Sequence, residues 1–263
     1  MRGAWVVPEP SLDSARVRLF CVPHAGGGGV MFRPWRDLLG SEVEACSIVL
    51  PGRESRIHEL PYVRMEQLVG PLFEQLRPHL DRPFALFGHS MGAVVAYELA
   101  RRCQLEGAPA PVRLFVSARR APHLPARRPS YADLSDDEFL TAVAAMNGTP
   151  AEVLAQRDLL KIFLPGLRGD FELNDTYVPL PGPRLTCPIS ASVGDADPEA
   201  DLPEILAWSQ VTTGGFRSRV FPGDHFYLKT DPAALLRAIC DDLGVRSGSA
   251  AGGELVPSPP PRG

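Results

Sequence analysis

The sequence lacks a long apolar run and lacks any excess of positive charge. No stretch of the 263 residues approaches the roughly 18 apolar residues of a membrane span, and residues 1–13 lack the apolar core of a signal peptide. Because 27 Lys and Arg stand against 31 Asp and Glu, the formal net charge is −4, which gives no reason to expect a nucleic-acid partner. We therefore expect a cytoplasmic protein that binds neither membranes nor nucleic acid.

Motifs for metals, redox chemistry and nucleotides are missing as well. The five cysteines show no Cys-x-x-Cys spacing and most have apolar neighbours, so we expect reduced, buried thiols. The glycine-rich stretch at 26–29 is not followed by Gly-Lys-Ser/Thr, and no G-x-G-x-x-G with a suitably placed acidic residue occurs. We therefore expect no metal and no cofactor.

What is present is an alternation of short apolar runs with longer amphipathic segments, which is typical of βα units and a mainly parallel sheet. The predicted strands are 17–23, 45–50, 84–88, 114–118, 189–194 and 217–221. The helices predicted between and after them are 31–39, 65–80, 91–106, 202–212 and 232–243.

An insertion at about 134–177 breaks this alternation. It contains no predicted strand but three predicted helices, 136–145, 151–163 and 167–177, so we expect a helical lid over the strand ends. Residues 1–247 are predicted to form a single α/β domain. The segment 248–263 is rich in Gly, Ala, Ser and Pro, which predicts a disordered tail.

The sequence Gly-His-Ser-Met-Gly at 88–92 matches G-x-S-x-G and lies between a predicted strand and a predicted helix. A nucleophile elbow requires both flanks, and it requires small residues two positions before and two after the serine. This context indicates the α/β-hydrolase fold, with Ser90 as the catalytic nucleophile.

A serine nucleophile needs a base and an acid, which in this fold follow in the order Ser, acid, His. His225 comes just after the last predicted strand and before the last predicted helix, which makes it the candidate base. Asp195 and Asp197 compete for the acid at the end of the preceding strand. The spacing Gly194-x-x-Asp197, and Pro198 holding Asp197 out of helical geometry, favour Asp197.

The oxyanion of the tetrahedral intermediate needs two hydrogen-bond donors. One candidate is the backbone amide of Met91, the residue after the nucleophile. The loop after the first predicted strand, PHAGGGG at 23–29, is similar to the glycine-rich oxyanion loops of lipases, and Ala25 is the second candidate.

Four segments together carry a closer resemblance: FCVPHAGG at 20–27, LPGR at 50–53, FGHSMGA at 87–93 and VFPGDHF at 220–226. Over residues 15–243 the chain resembles type II thioesterases, the free-standing editing enzymes of polyketide synthases and nonribosomal peptide synthetases. The resemblance implies hydrolysis of acyl groups from the phosphopantetheine thiol of carrier proteins, by a monomer with a helical lid. It maps the catalytic triad onto Ser90, Asp197 and His225. One departure is Asp224, where many relatives have Gly.

Two other functions remain open on this reasoning. An esterase or lipase acting on oxygen esters would use the same triad. A non-enzymatic acyl-binding protein would require a broken triad, and here every triad position is filled, which argues against it. Phe139, Met146 and Phe163 are the lid candidates for contact with the acyl chain. A cluster of four arginines is a candidate for steering an acidic carrier protein, and the alternative is a solvated loop without a specific role; the cluster comprises Arg119, Arg120, Arg127 and Arg128.

Overall fold

The computed structural model describes residues 4–8, 12, 14–127, 129–146 and 157–248, and a seven-stranded sheet lies at its centre. The strands are β1 Val6–Pro8, β2 Val17–Val22, β3 Val43–Ile48, β4 Phe84–His89, β5 Arg113–Ser117, β6 Ile189–Gly194 and β7 Phe216–Phe221. Their order is β1-β3-β2-β4-β5-β6-β7. The pair β1–β3 is antiparallel and every other pair is parallel. The predicted α/β class with a mainly parallel sheet is confirmed, and the short edge strand β1 was not predicted.

Helices cover both faces of this sheet. They are α1 Trp35–Leu39, α2 Met65–Leu76, α3 Met91–Leu105, α4 Asp136–Ala144, α5 Arg157–Asp175, α6 Leu202–Leu206, α7 Tyr227–Thr230 and α8 Pro232–Leu243. All six predicted strands and all five helices predicted outside the insertion appear, with bounds that differ from the predictions by at most six residues. Helix α8 begins as expected, because Asp231 Oδ1 accepts the Ala234 amide (3.1 Å) and Pro232 needs no partner for its nitrogen.

The central strands are buried on both faces, which is why their sequences are continuous apolar runs rather than alternating ones. Along β2, Phe20 packs on one face with α2 and α3, while Leu19 packs on the other with α1 and α8. Each face contains a fully buried tryptophan, Trp208 on the first and Trp35 on the second. These two apolar layers hold the sheet rigid beneath its carboxyl edge.

The insertion differs from its prediction. The helices predicted at 151–163 and 167–177 are replaced by the single helix α5, which continues through Pro165; residues 151–156 lie outside the described part. A proline removes one helical hydrogen bond but does not end a helix that is held from outside. Helix α5 is held by close packing of Gly166 against the neighbouring loop, since a Cβ added to Gly166 would lie 2.5 Å from the carbonyl oxygen of Gly52.

Several predicted helices are shorter than expected. Those at 31–39, 65–80 and 202–212 each consist of a short α-helix and a 3₁₀ turn, at Gly29–Phe32, Arg77–His79 and Ala207–Val211 respectively. The predicted disordered tail lies outside the described residues, apart from Gly248, whose amide donates to the Leu38 carbonyl (3.0 Å). No helix in the described part of the chain is long and apolar enough to cross a membrane.

Candidate active site

Ser90 lies in a sharp turn between β4 and α3, with φ 55° and ψ −118°. Its amide donates to the Ser117 carbonyl at the end of β5 (2.8 Å). A Cβ on Gly88 would lie 2.0 Å from the carbonyl oxygen of Gly92, and a Cβ on Gly92 would lie 2.2 Å from that of Val22. Both positions therefore require glycine, which is the steric demand expected of a nucleophile elbow.

His225 faces this turn from the loop after β7. Its Nδ1 lies 3.0 Å from each carboxylate oxygen of Asp197, whose side chain is fully buried. Asp197 Oδ1 also accepts the Glu199 amide (2.8 Å). Asp195 points elsewhere, since its Oδ1 accepts the Gly223 amide (2.9 Å). The structure therefore brings Asp197, rather than Asp195, against His225.

The acid loop and the histidine loop are joined through their backbones. The amide of Asp195 donates to the Phe221 carbonyl (2.8 Å) and that of Ala196 to the Gly223 carbonyl (3.0 Å). Gly194 allows this approach, because a Cβ there would lie 2.3 Å from the Gly223 oxygen. Asp224 turns the chain after the histidine by accepting the Phe226 amide (2.8 Å). The aspartate at this position thus has a local role in shaping the histidine loop.

Four of the predicted site residues line one cavity of about 140 Å³, namely Ala25, Ser90, Met91 and His225. Met91 is the first residue of α3, so its amide lies at the positive end of a 15-residue helix. Ala25 lies in the glycine-rich loop after β2. Both candidate amide donors are therefore at the same end of the sheet as the serine.

The histidines beneath the cavity are neutral. Burial lowers the pKa of His24 to about 4 and that of His89 well below its usual range. His89 Nδ1 lies 2.9 Å from Ser117 Oγ, which is 2.7 Å from the hydroxyl of Tyr227. Burial raises the pKa of Tyr227 to about 12. This buried polar chain carries no net charge, and no sequence spacing could have indicated it.

The lid contributes a different set of residues from the one expected. Met146 lines the cavity, as predicted. Phe139 is buried instead against Phe171 (ring centroids 5.2 Å apart), and the side chain of Phe163 is on the surface, 43% exposed. Phe171 of the insertion also lines the cavity, and the lining residues that sequence reasoning missed include Ala118, Leu124, Asn174 and Tyr177.

The arginines near the cavity have partners. Arg119 Nη1 donates to Asn174 Oδ1 (2.8 Å). Arg127 pairs with Asp201 (2.5 Å) and Glu204 (2.8 Å), and Arg120 lies 3.7 Å from the same glutamate. Arg128 lies outside the described residues. The carboxylates offset much of the positive charge expected here.

In chemical terms the cavity presents a serine, a histidine held by a buried carboxylate, and two candidate oxyanion donors. Within the described residues, no group of three His, Cys, Asp or Glu side chains is arranged to hold a metal ion. This set of groups is suited to acyl transfer through a covalent serine intermediate.

Comparison with known proteins agrees with this chemistry. A family model described as "Thioesterase domain" matches residues 17–243. The chain belongs to the thioesterase family. The gramicidin S biosynthesis protein GrsT of Aneurinibacillus migulanus is 38% identical over 239 residues, which cover 91% of this thioesterase and 93% of GrsT.

Solved structures extend the similarity to the whole fold. The type II thioesterase BorB from the borrelidin biosynthetic cluster matches with a TM-score of 0.84 and 37% identity, covering 92% of this chain and 99% of BorB. The thioesterase RedJ from the prodiginine pathway of Streptomyces coelicolor matches with a TM-score of 0.82 and 38% identity, covering 89% of this chain and 88% of RedJ. The predicted α/β-hydrolase fold and the resemblance to type II thioesterases are both confirmed. The protein is a serine hydrolase of the thioesterase family.

Proposed function

We propose that this thioesterase releases acyl groups from the phosphopantetheine thiol of carrier proteins, and so clears stalled or misprimed modules of a polyketide synthase or nonribosomal peptide synthetase. The observation that carries the proposal is the buried Asp197–His225 pair beside the strained Ser90 turn. It is supported by similarity to GrsT and BorB, whose names place them in gramicidin S and borrelidin biosynthesis.

In the proposed mechanism, Ser90 Oγ attacks the thioester carbonyl carbon while His225 Nε2 takes the hydroxyl proton. Asp197 accepts the Nδ1–H of His225, which fixes the tautomer and stabilises the imidazolium that forms. The amides of Met91 and Ala25 stabilise the oxyanion. The intermediate collapses, the C–S bond breaks, and His225 protonates the departing thiolate. Water, activated by the same histidine, then hydrolyses the acyl-serine.

The size of the cavity bears on the acyl group. About 140 Å³ is less than the roughly 300–1,000 Å³ of clefts that bury drug-sized ligands. Short acyl groups are therefore the proposed substrates for this arrangement of the lid, and longer ones would require the lid to move. Since every proposed group comes from one chain, the proposal requires no second copy.

The test is hydrolysis of a panel of acyl-carrier proteins, from acetyl to medium chain, by the wild type and by Ser90→Ala. Loss of a triad member lowers kcat by roughly 10⁴- to 10⁶-fold in serine hydrolases, and we expect a loss of this size. A fluorophosphonate probe should label the wild type once and leave Ser90→Ala unlabelled. Labelling of the variant, or faster hydrolysis of the matching oxygen ester, would contradict the proposal.

A further inference from the structure

Arg53 and Asp170 form a buried ion pair between two segments that are distant in sequence. Arg53 follows β3 and Asp170 lies on α5; their side chains are 9% and 4% exposed, and Nη2 lies 2.5 Å from Oδ1. The other oxygen of Asp170, Oδ2, accepts the amide of Gly26 (2.7 Å). Arg53 Nη1 donates to the carbonyl of Gly27 (2.8 Å). Both charged groups therefore end on the glycine-rich loop.

These groups hold the Ala25–Gly26 peptide unit, which adjoins the Ala25 amide, a candidate oxyanion donor. In the Ala25–Gly26 peptide, the carbonyl accepts the Nδ1–H of His24 (2.9 Å) and the amide donates to Asp170. Gly26 has φ +73°, and a Cβ on it would lie 2.5 Å from Leu167 of α5. The His24 carbonyl, in the peptide that contains the Ala25 amide, accepts the Gly27 amide (2.9 Å), so the peptide units on both sides of Ala25 are anchored.

The far end of the same loop is held by the residue after Arg53. Glu54 Oε1 accepts the amide of Val30 (3.0 Å), and Glu54 has φ 48°. Such left-handed backbone is costly for a residue other than glycine, and it persists only where surrounding contacts enforce it. The segment 50–54 thus forms a cradle under the loop, which gives the LPGR motif a physical role.

Among the groups named above that hold the loop, the Asp170 carboxylate belongs to the lid, because Asp170 lies on helix α5. The helix packs closely on the cradle, since a Cβ on Gly166 would lie 2.5 Å from the carbonyl oxygen of Gly52, and on the segment after it, since a Cβ on Gly169 would lie 2.6 Å from Pro61. If α5 moved away, Arg53 would lose its carboxylate and Gly26 its acceptor. An unpaired buried charge is strongly unfavourable, so loop conformation and helix position are linked.

We propose that Arg53 and Asp170 are positioning residues through which the docked lid helix sets the oxyanion loop and aims the Ala25 amide at the cavity. The inference rests on the proposed function, because it assumes an oxyanion at that amide. It also restricts the lid motion that admits substrate. The segment of α5 around Asp170 stays docked during catalysis.

The test compares Asp170→Ala, Asp170→Asn and the double variant Arg53→Met/Asp170→Leu, with acyl-pantetheine thioesters as substrates. A misplacement of about 1 Å can cost roughly 10²-fold, so we expect Asp170→Ala to lose about that factor in kcat, with KM changed less than about twofold. Asp170→Asn retains an acceptor for the Gly26 amide and should lose less. An acyl trifluoromethyl ketone, which forms a tetrahedral adduct on the serine, should lose affinity in parallel with kcat.

The double variant separates positioning from folding. Apolar replacement of a buried ion pair leaves no unpaired charge, so the variant should remain folded with a higher unfolding temperature than Asp170→Ala and still show the loss in kcat and in ketone affinity. The matched control is Glu172→Gln on the same helix, whose partner Arg64 (2.6 Å) lies away from the loop; its kcat should stay within about twofold.

Three results would overturn the inference. One is wild-type kcat and ketone affinity in the folded double variant, and another is an equal loss in Glu172→Gln. The third is a loss confined to KM. An active Ser90→Ala would instead remove the proposed function itself, so the two failures are distinguishable.

Discussion

The nucleophile elbow and the lid helix α5 meet at one cavity, yet they are held in place by different forces. Ser90 is fixed by a backbone hydrogen bond to Ser117 and by the close contact between Gly88 and Gly92. Helix α5 also has close backbone contacts, but in addition it depends on side-chain ion pairs, which include Arg53–Asp170, Arg64–Glu172 and Arg168–Asp136.

This difference determines which contacts are sensitive to side-chain substitution and to salt concentration. Backbone contacts at the elbow depend on glycine and on strand register, and they are indifferent to salt. Ion pairs depend on side-chain identity, and exposed ones weaken as salt increases. We therefore expect substitutions around the elbow, its histidine loop and the oxyanion loop held by Asp170 to act on the chemistry, and substitutions elsewhere in the lid to act on substrate choice. The following predictions test this division.

The largest effect is expected at the acid. Asp197→Asn should lower kcat by about 10⁴-fold, because an amide cannot hold His225 in the tautomer that accepts the serine proton. Asp195→Asn is the matched control in the same loop. Asp195 bonds the Gly223 amide rather than the histidine, so its kcat should fall by less than about tenfold. Steady-state kinetics on one acyl-pantetheine substrate decides between them, and reversed sensitivities would move the role to Asp195.

A second prediction concerns the loss of folding stability at low pH, which we expect to arise in the part of the molecule around the nucleophile elbow. His89 is fully buried there and His24 is half-buried, whereas residues 134–177 of the lid contain no histidine. Burial lowers the pKa of His24 from 6.5 to about 4, so between those values the unfolded chain binds the extra proton. Stability should therefore fall as pH drops from 6.5 to 4, by roughly 3 kcal/mol from His24 alone.

Urea unfolding at pH 7 and pH 5 measures this dependence. The variant His24→Gln should show a shallower dependence, with the part due to His89 remaining. Ser90→Ala alters the site without removing a titrating histidine, so its free energy of unfolding should change between pH 7 and pH 5 by the same amount as that of the wild type. An equal pH dependence of the free energy of unfolding in His24→Gln and wild type would show that His24 does not contribute to the loss of stability at low pH.

The same division explains which features could be predicted from the sequence. The bounds of β6 and α8 match their predictions, and the strand, turn and helix around Ser90 lie where the motif requires. These features follow from apolar patterning, caps and local steric demands. The pair Arg53–Asp170 joins residues 117 positions apart, and the path of α5 through Pro165 depends on contact with Gly52. No local sequence pattern encodes such long-range contacts. Helical spacing alone therefore predicted Phe163 in the cavity, whereas the structure leaves it exposed.

A third, smaller effect is expected on chain-length preference. Met146→Ala should enlarge the cavity by about three side-chain atoms and raise kcat/KM for longer acyl groups, relative to acetyl, by about tenfold. A methylene-sized change in an apolar pocket is worth roughly 10- to 200-fold. Phe163→Ala is the control, since Phe163 is exposed on the same insertion. Equal chain-length profiles for Met146→Ala and wild type would limit Met146 to packing.

The smallest effect is expected at Arg127, which lies at the cavity rim. Its charge is offset by Asp201 and Glu204, and exposed ion pairs contribute about 0–1 kcal/mol. We therefore expect Arg127→Gln to change kcat/KM on an acyl-carrier substrate by less than about threefold. Arg102→Gln is the matched control, because Arg102 on α3 is similarly exposed (42% against 40%) and pairs with Glu106, the residue after that helix. A much larger loss at Arg127, confined to the carrier substrate and reduced by salt, would show that this arginine steers the carrier despite its partners.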